Sequence, residues 1–165
     1  MDAYSTANWA PVFSAIASAS AALTGLLFVA LSINLSQVLK GQGLVARAIE
    51  VLILLTSSLL VSTLSLMPGQ GPQSVAIEIL SIATLVVATI AYIHLRAPRR
   101  VLGVTRSNFA MRVLGAHSGP IFLIVGAVSL LAQNGGGLYW IVPALLAAMV
   151  AAIAGAWVLL VEIQR

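Results

Sequence analysis

Apolar positions along the chain fall into five long blocks: Val12–Leu35, Ala48–Met67, Val75–Leu95, Val113–Ala132 and Leu138–Val161. Short polar or Gly/Pro-rich segments separate them. A membrane-crossing helix needs about 20 mainly apolar residues to bridge a hydrocarbon core of roughly 30 Å, and each block reaches that length. The pattern predicts an all-α membrane protein, a five-helix bundle forming a single domain over residues 1–165. The connections PGQGP (68–72) and QNGGG (133–137) are turn-forming, so they should fasten spans two and three, and spans four and five, as antiparallel pairs. Pro120 falls inside span four, where the missing backbone donor is expected to kink the helix.

Within the blocks, polar and small residues recur at helical spacing. In span one, Ser14, Ser18, Gly25, Ser32 and Ser36 share a strip about 40° wide at 100° per residue. Small residues on one strip let helix backbones approach closely, so this strip is expected to bury against protein, in the same chain or a neighbouring subunit. Gly25→Leu should then disrupt assembly, and Leu27→Ala, on another face, should be milder. Gly115 and Gly119 in span four make a second small-xxx-small pair. Span three aligns Ser74, Glu78, Ser81, Thr89, Tyr92 and Arg96, and span two aligns Arg47, Ser58, Ser62 and Ser65. Such stripes either face the bundle interior and satisfy one another or line a hydrated path.

Composition agrees with the pattern. Of 165 residues, 61% are hydrophobic and only 7% charged, with a mean hydropathy of +1.09. A soluble domain carries about 25% charged residues, so this chain could not cover a water-facing surface. The eight basic residues are Lys40, Arg47, Arg96, Arg99, Arg100, Arg106, Arg112 and Arg165. Five spans place all of them on one side. Basic flanks stay cytoplasmic, so the N-terminus is expected outside and the C-terminus inside. The five arginines of the segment before span four then serve as a topology determinant that attracts anionic lipid, and a nucleic-acid partner is not expected. The first basic residue is Lys40, so the positive region of a secretory signal is missing and the first helix should stay in the mature protein.

Charged residues within the spans carry the candidate chemistry. Glu78 lies about a turn inside the outer boundary, with Ser74 and Ser81 on its face and no basic residue on its side. This trio is the candidate pore or ion-sensitive site, a mouth that would favour cations. At the opposite interface Arg47, Glu50, His94, His117 and Glu162 share similar depth. Arg47 and Glu50, at i and i+3, are expected to pair locally, and Glu162 could join them. Two histidines could form a haem or metal pair, but no third ligand or supporting motif accompanies them. They are taken as interfacial residues bonded to neighbours, and no cofactor or metal is assigned. There is no cysteine and, besides Asp2, no aspartate. Without a nucleophile–base constellation, no enzyme is expected.

The stretch WAPVFSAIASASAALTGLLFVALSIN, from Trp9 to Asn34, and the later LSLMPGQ are similar to those of a group of small uncharacterised bacterial polytopic membrane proteins. The resemblance implies a bacterial plasma-membrane location and carries no established activity, ligand or site residue. Two functions fit the whole reading. One is a homo-oligomeric channel or permease-like protein. The other is an accessory or regulatory subunit that docks another membrane protein through small-residue helix faces.

Overall fold

A computed structural model describes residues 3–41, 43–96 and 106–163, without the side chains of 106–108 and 163. A single 3-10 turn, Thr6–Trp9, leads into α1 (Ala10–Ile33), followed by α2 (Leu35–Lys40), α3 (Leu44–Ser65), α4 (Pro72–Arg96), α5 (Arg106–Ala132) and α6 (Leu138–Ile163). Five of these, all but α2, are long and apolar enough to cross a membrane. Their outward surface carries large apolar side chains, among them Leu26, Phe28, Leu85, Val150 and Trp157. Water would penalise that surface and lipid would not. The chain therefore reads as a multi-pass membrane protein.

Local chemistry sets the helix ends. Pro11 sits in the first turn of α1 and Pro72 opens α4, where a missing N–H costs nothing. Asn34 ends α1: its side-chain Nδ2 donates to the Ala30 carbonyl at 2.9 Å, and the chain turns off into α2. This six-residue helix was not foreseen, since the apolar run continues into Leu35. Between α5 and α6, Gln133, Gly135, Gly136 and Gly137 all have positive φ, a left-handed path that glycine adopts without steric cost. The N-terminal segment is tied to this turn. Leu138 N donates to Ala3 O at 2.9 Å, Gly136 N donates to the Tyr4 hydroxyl at 3.2 Å, and Trp9 meets Tyr139 edge-on.

Helices α3, α4, α5 and α6 contact one another in succession, and α6 closes back on α3. Both pairs expected from the tight turns, α3 with α4 and α5 with α6, are in contact. Helix α1 lies against α3 and, to a smaller extent, α6. Fully buried Leu54, Ile79, Ile90, Leu123, Ile141 and Leu145 fill the ring. Three glycines set close approaches between the long helices: a Cβ on Gly119 would stand 2.8 Å from the Ala148 backbone nitrogen, one on Gly126 3.1 Å from that of Ile141, and one on Gly155 2.8 Å from Val51 Cγ2. Gly115 has open space around it. Of the expected pair, Gly119 alone is a close contact, and it works with Gly126 two turns on.

The small-residue strip of α1 is not buried within the protomer. Ser14, Ser18, Gly25 and Ser32 are all exposed, and nothing lies within 4 Å of a Cβ built on Gly25. The buried face is Phe13, Ile16, Ser20 and Leu27, rotated by about 145° from the small-residue strip. Large side chains that interlock with α3 decided the orientation. The strip has no partner helix within the described residues of this chain.

Candidate functional site

Towards one end of the bundle, the end to which Lys40, Arg47, Arg96 and Arg112 belong, four helices bring ionisable groups together. Glu50 on α3 is buried, and its Oε2 accepts from three donors: Arg112 Nη2 at 2.6 Å, Arg112 Nε at 3.0 Å and His94 Nε2 at 3.2 Å. Arg112 comes from α5 and His94 from α4. One turn nearer the helix end, Arg47 Nη1 donates to Glu162 Oε2 on α6 at 3.1 Å. Two guanidinium groups thus face two carboxylates, and these four formal charges cancel. Neutrality is what allows such a group to persist beside a hydrocarbon core.

The expected local pair of Arg47 and Glu50 does not form. Glu50 turns to the α4–α5 junction, where two donors converge, and Arg47 reaches α6 instead. The histidines are also assigned by their partners. A carboxylate only accepts, so the hydrogen of His94 is on Nε2; its Nδ1 is buried without a partner. His117 Nδ1 lies 2.9 Å from the Val113 carbonyl and must donate to it. The two rings stand 5.3 Å apart. Among the described residues no group of three or more His, Cys, Asp or Glu is placed to hold a metal ion.

All five residues read from the sequence as an interfacial cluster (Arg47, Glu50, His94, His117 and Glu162) are therefore near one another at this end. Arg112 was missed as a member. It sits one residue before the span-four apolar run and served only as an orienting charge, although it shares the depth of His94. Of the basic segment before α5, residues 97–105 lie outside the described residues.

The opposite end holds a cleft of about 430 Å³ between Tyr4–Ala10, the Ser65–Pro72 turn and Gln133. Gln70 lines it and donates through Nε2 to Glu78 Oε1 at 2.9 Å. The remaining two oxygens of this pair, Gln70 Oε1 and Glu78 Oε2, are both buried without a hydrogen-bond partner. Gln70 was read from the sequence only as part of a turn, and nothing in its spacing to Glu78 singles it out.

Between the two ends, the buried face of α3 is polar at intervals: Glu50, Ser57, Ser58, Ser62 and Ser65. Ser57 and Ser58 both donate to the Leu54 carbonyl at 2.9 Å, and Ser65 donates to Val61 O while lining the cleft. Ser62 Oγ and, across on α1, Ser20 Oγ are buried and unpartnered. The α4 stripe behaves differently. Ser74, Ser81, Tyr92 and Arg96 are exposed, on a face about 130° from the buried side of α4. Ser81 and Thr89 return their hydrogens to carbonyls of their own helix, which lets them face lipid. So the stripe of span two is interior and that of span three is exterior. No family model, curated protein or solved structure matches the chain.

Proposed function

We propose that this is a non-enzymatic protein of the bacterial plasma membrane, N-terminus outside, acting as a permease-like conductor of small cations. Its path runs along the buried face of α3, within each protomer. The carrying observation is the run of buried hydroxyls that starts at the cleft with Ser65 and points toward the Glu50–His94–Arg112 cluster. Ser65 to Ser57 spans about 12 Å along the helix, and about 10 Å more leads to Glu50. Ionisable side chains inside membrane spans mark substrate and ion routes, and this run of hydroxyls leads to the buried Glu50. The cleft, with Glu78 behind Gln70 and no basic residue in its lining, would be the cation-favouring mouth. Orientation rests on the one-sided basic residues.

Purified protein in liposomes tests this reading. Cation flux should appear in the wild type and fall in Ser58→Leu and Ser62→Leu, which block the path. Folded protein that passes no cation, or that conducts equally in both variants, removes the path. Reporter fusions after Gly71 and Gly136 should read as periplasmic, and one after Arg100 as cytoplasmic.

A second reading, the accessory subunit, is favoured by the exposed strip of α1 (Ser14, Ser18, Gly25 and Ser32), a face suited to close contact with another membrane helix. Copurification in mild detergent separates the two. A ring of identical chains supports a homo-oligomeric conductor; a different chain in fixed stoichiometry supports the accessory role.

A further inference from the structure

The Gln70–Glu78 pair is incomplete as it stands. Its one internal hydrogen bond, Gln70 Nε2 to Glu78 Oε1, leaves an amide oxygen and a carboxylate oxygen buried with no donor. A buried acceptor without a donor costs about 1–3 kcal/mol, more when it is charged. Natural interiors seldom leave two such atoms on one pair of side chains. What is missing is therefore hydrogen-bond donors, and the field at this end selects their charge. Lys40, Arg47, Arg96, Arg106 and Arg112 all belong to the opposite ends of their helices. The cleft lining contains hydroxyls, amides and Met67, and no basic side chain.

The geometry points to a binding site for a small organic cation bearing a primary ammonium group. This inference rests on the reading of the cleft as the cation-favouring mouth. An ammonium has three N–H donors and no acceptor. Two of them would go to the unpartnered Glu78 Oε2, which lies behind Gln70 and outside the cleft lining, and Gln70 Oε1, and the third to a cleft oxygen such as Ser65 Oγ, whose own hydrogen is engaged with Val61. The carbon body of the ligand occupies the cleft, whose volume lies within the 300–1,000 Å³ typical of small-molecule sites. A bare metal ion would leave nearly all of that space unused.

Gln70 acts as the cover. Its amide nitrogen occupies the carboxylate as a ligand N–H would, and both unpartnered oxygens are closed to water. Entry requires its side chain to swing into the cleft. The turn that carries it has room: nothing lies within 4 Å of a Cβ built on Gly69 or Gly71, and Gly69 is left-handed at φ 79°. Among the described residues the other side-chain hydrogen bond of Gln70 is a 3.5 Å approach to Met67 Sδ, which is weak.

Equilibrium binding to the detergent-solubilised full chain tests the site, with n-butylammonium as the probe. Tetramethylammonium, which has the charge and no N–H, and sodium and potassium chloride are the comparisons. Butylammonium should bind at least tenfold more tightly than tetramethylammonium. Glu78→Gln should weaken it by roughly ten- to hundred-fold, the worth of a hydrogen bond to a charged group, with elution volume and melting unchanged. Should Glu78→Gln fail to fold, Gln70→Leu carries the test and should lower the preference for butylammonium over tetramethylammonium several-fold. Equal binding of the two ammonium ions, tight binding of sodium or potassium in place of butylammonium, or wild-type behaviour of the folded variants overturns the proposal. So does an absence of cation binding together with an infrared carboxylic-acid band that Glu78→Gln removes, since the two oxygens would then share a proton. Flux without butylammonium binding removes this site and leaves the α3 path standing; binding without flux does the reverse.

Discussion

Removing Arg112 should be among the most damaging single changes in the protein, and removing Glu50 with it should undo much of the damage. Arg112 and Glu50 side chains are 12% and 7% exposed, and two guanidinium nitrogens reach one carboxylate oxygen at 2.6 and 3.0 Å. Losing one member of such a pair costs about 3–5 kcal/mol, because the other charge stays buried and uncompensated. Replacing both by apolar side chains of similar volume is often neutral; here His94 loses a partner as well, a further loss of about 1 kcal/mol. Arg112→Leu and Glu50→Leu should each destabilise by about 3 kcal/mol or more. The double variant should cost no more than about 2 kcal/mol, so the coupling should be at least about 4 kcal/mol. Arg47 and Glu162 supply an internal control at the same end. Glu162 is 42% exposed, and a solvated pair contributes about 0–1 kcal/mol. Reversible unfolding in mixed micelles by added denaturing detergent gives the stability of each variant in both cycles. Additive singles near 1 kcal/mol, indistinguishable from the Arg47–Glu162 pair, would refute the buried network.

Glycine substitutions separate packing from sequence motif. Gly119→Ala should destabilise by about 1–3 kcal/mol, since its Cβ meets backbone atoms of Ala144 and Ala148 that cannot yield separately; Gly115→Ala should be neutral or slightly stabilising, and equal effects in the unfolding assay would contradict the α5–α6 seam. On α1 the exposed strip and the buried face make opposite forecasts. Gly25→Leu should leave protomer stability unchanged and alter the size of any assembly on gel filtration, whereas Leu27→Ala, buried at 5% exposure, should cost the protomer about 2–5 kcal/mol. The two variants thus separate assembly from protomer packing, and an undiminished protomer stability in Leu27→Ala would contradict the buried face.

The sequence was most legible where lipid imposes the rule. Lipid demands about 20 apolar residues per span, and all five expected spans correspond to helices that start and stop within a few residues of the expected bounds, apart from longer N-terminal turns on α3 and α5. Depth was legible too. Residues near the ends of spans two, three, four and five on one side had to lie near one another, which is why the membership of the Arg47–Glu162 cluster came through. Azimuth was not legible. Which way Glu50 turns depends on how α4 and α5 lean on α3, and an i, i+3 spacing says only that a local pair is within reach. Within the protomer the α1 strip is not the packing face, for a related reason. Small residues permit close approach but do not compel it, and Phe13, Ile16 and Leu27 had more surface to bury. Polar stripes were ambiguous because serine and threonine can satisfy themselves on their own helix, as Ser81 and Thr89 do.

One position on α3 decides whether its buried face could ever be continuous. Ser57 and Ser58 spend their hydrogens on the same acceptor, the Leu54 carbonyl, each at 2.9 Å. The side chain of Leu54 is 2% exposed and stands between these serines and Glu50. Back-bonded serines draw on a carbonyl that the helix already uses and tend to bend it there. The same carbonyl is thus the place where α3 is both most heavily bonded and most easily loosened, because either hydroxyl can turn away without leaving the carbonyl unpaired. A small opening at Leu54 would free two hydroxyls toward Ser62, whose Oγ has no partner, and would shift the Leu54 side chain itself. Conduction along α3 therefore asks for a local change at one turn, with the ionic cluster on one side of it and the cleft on the other both left intact.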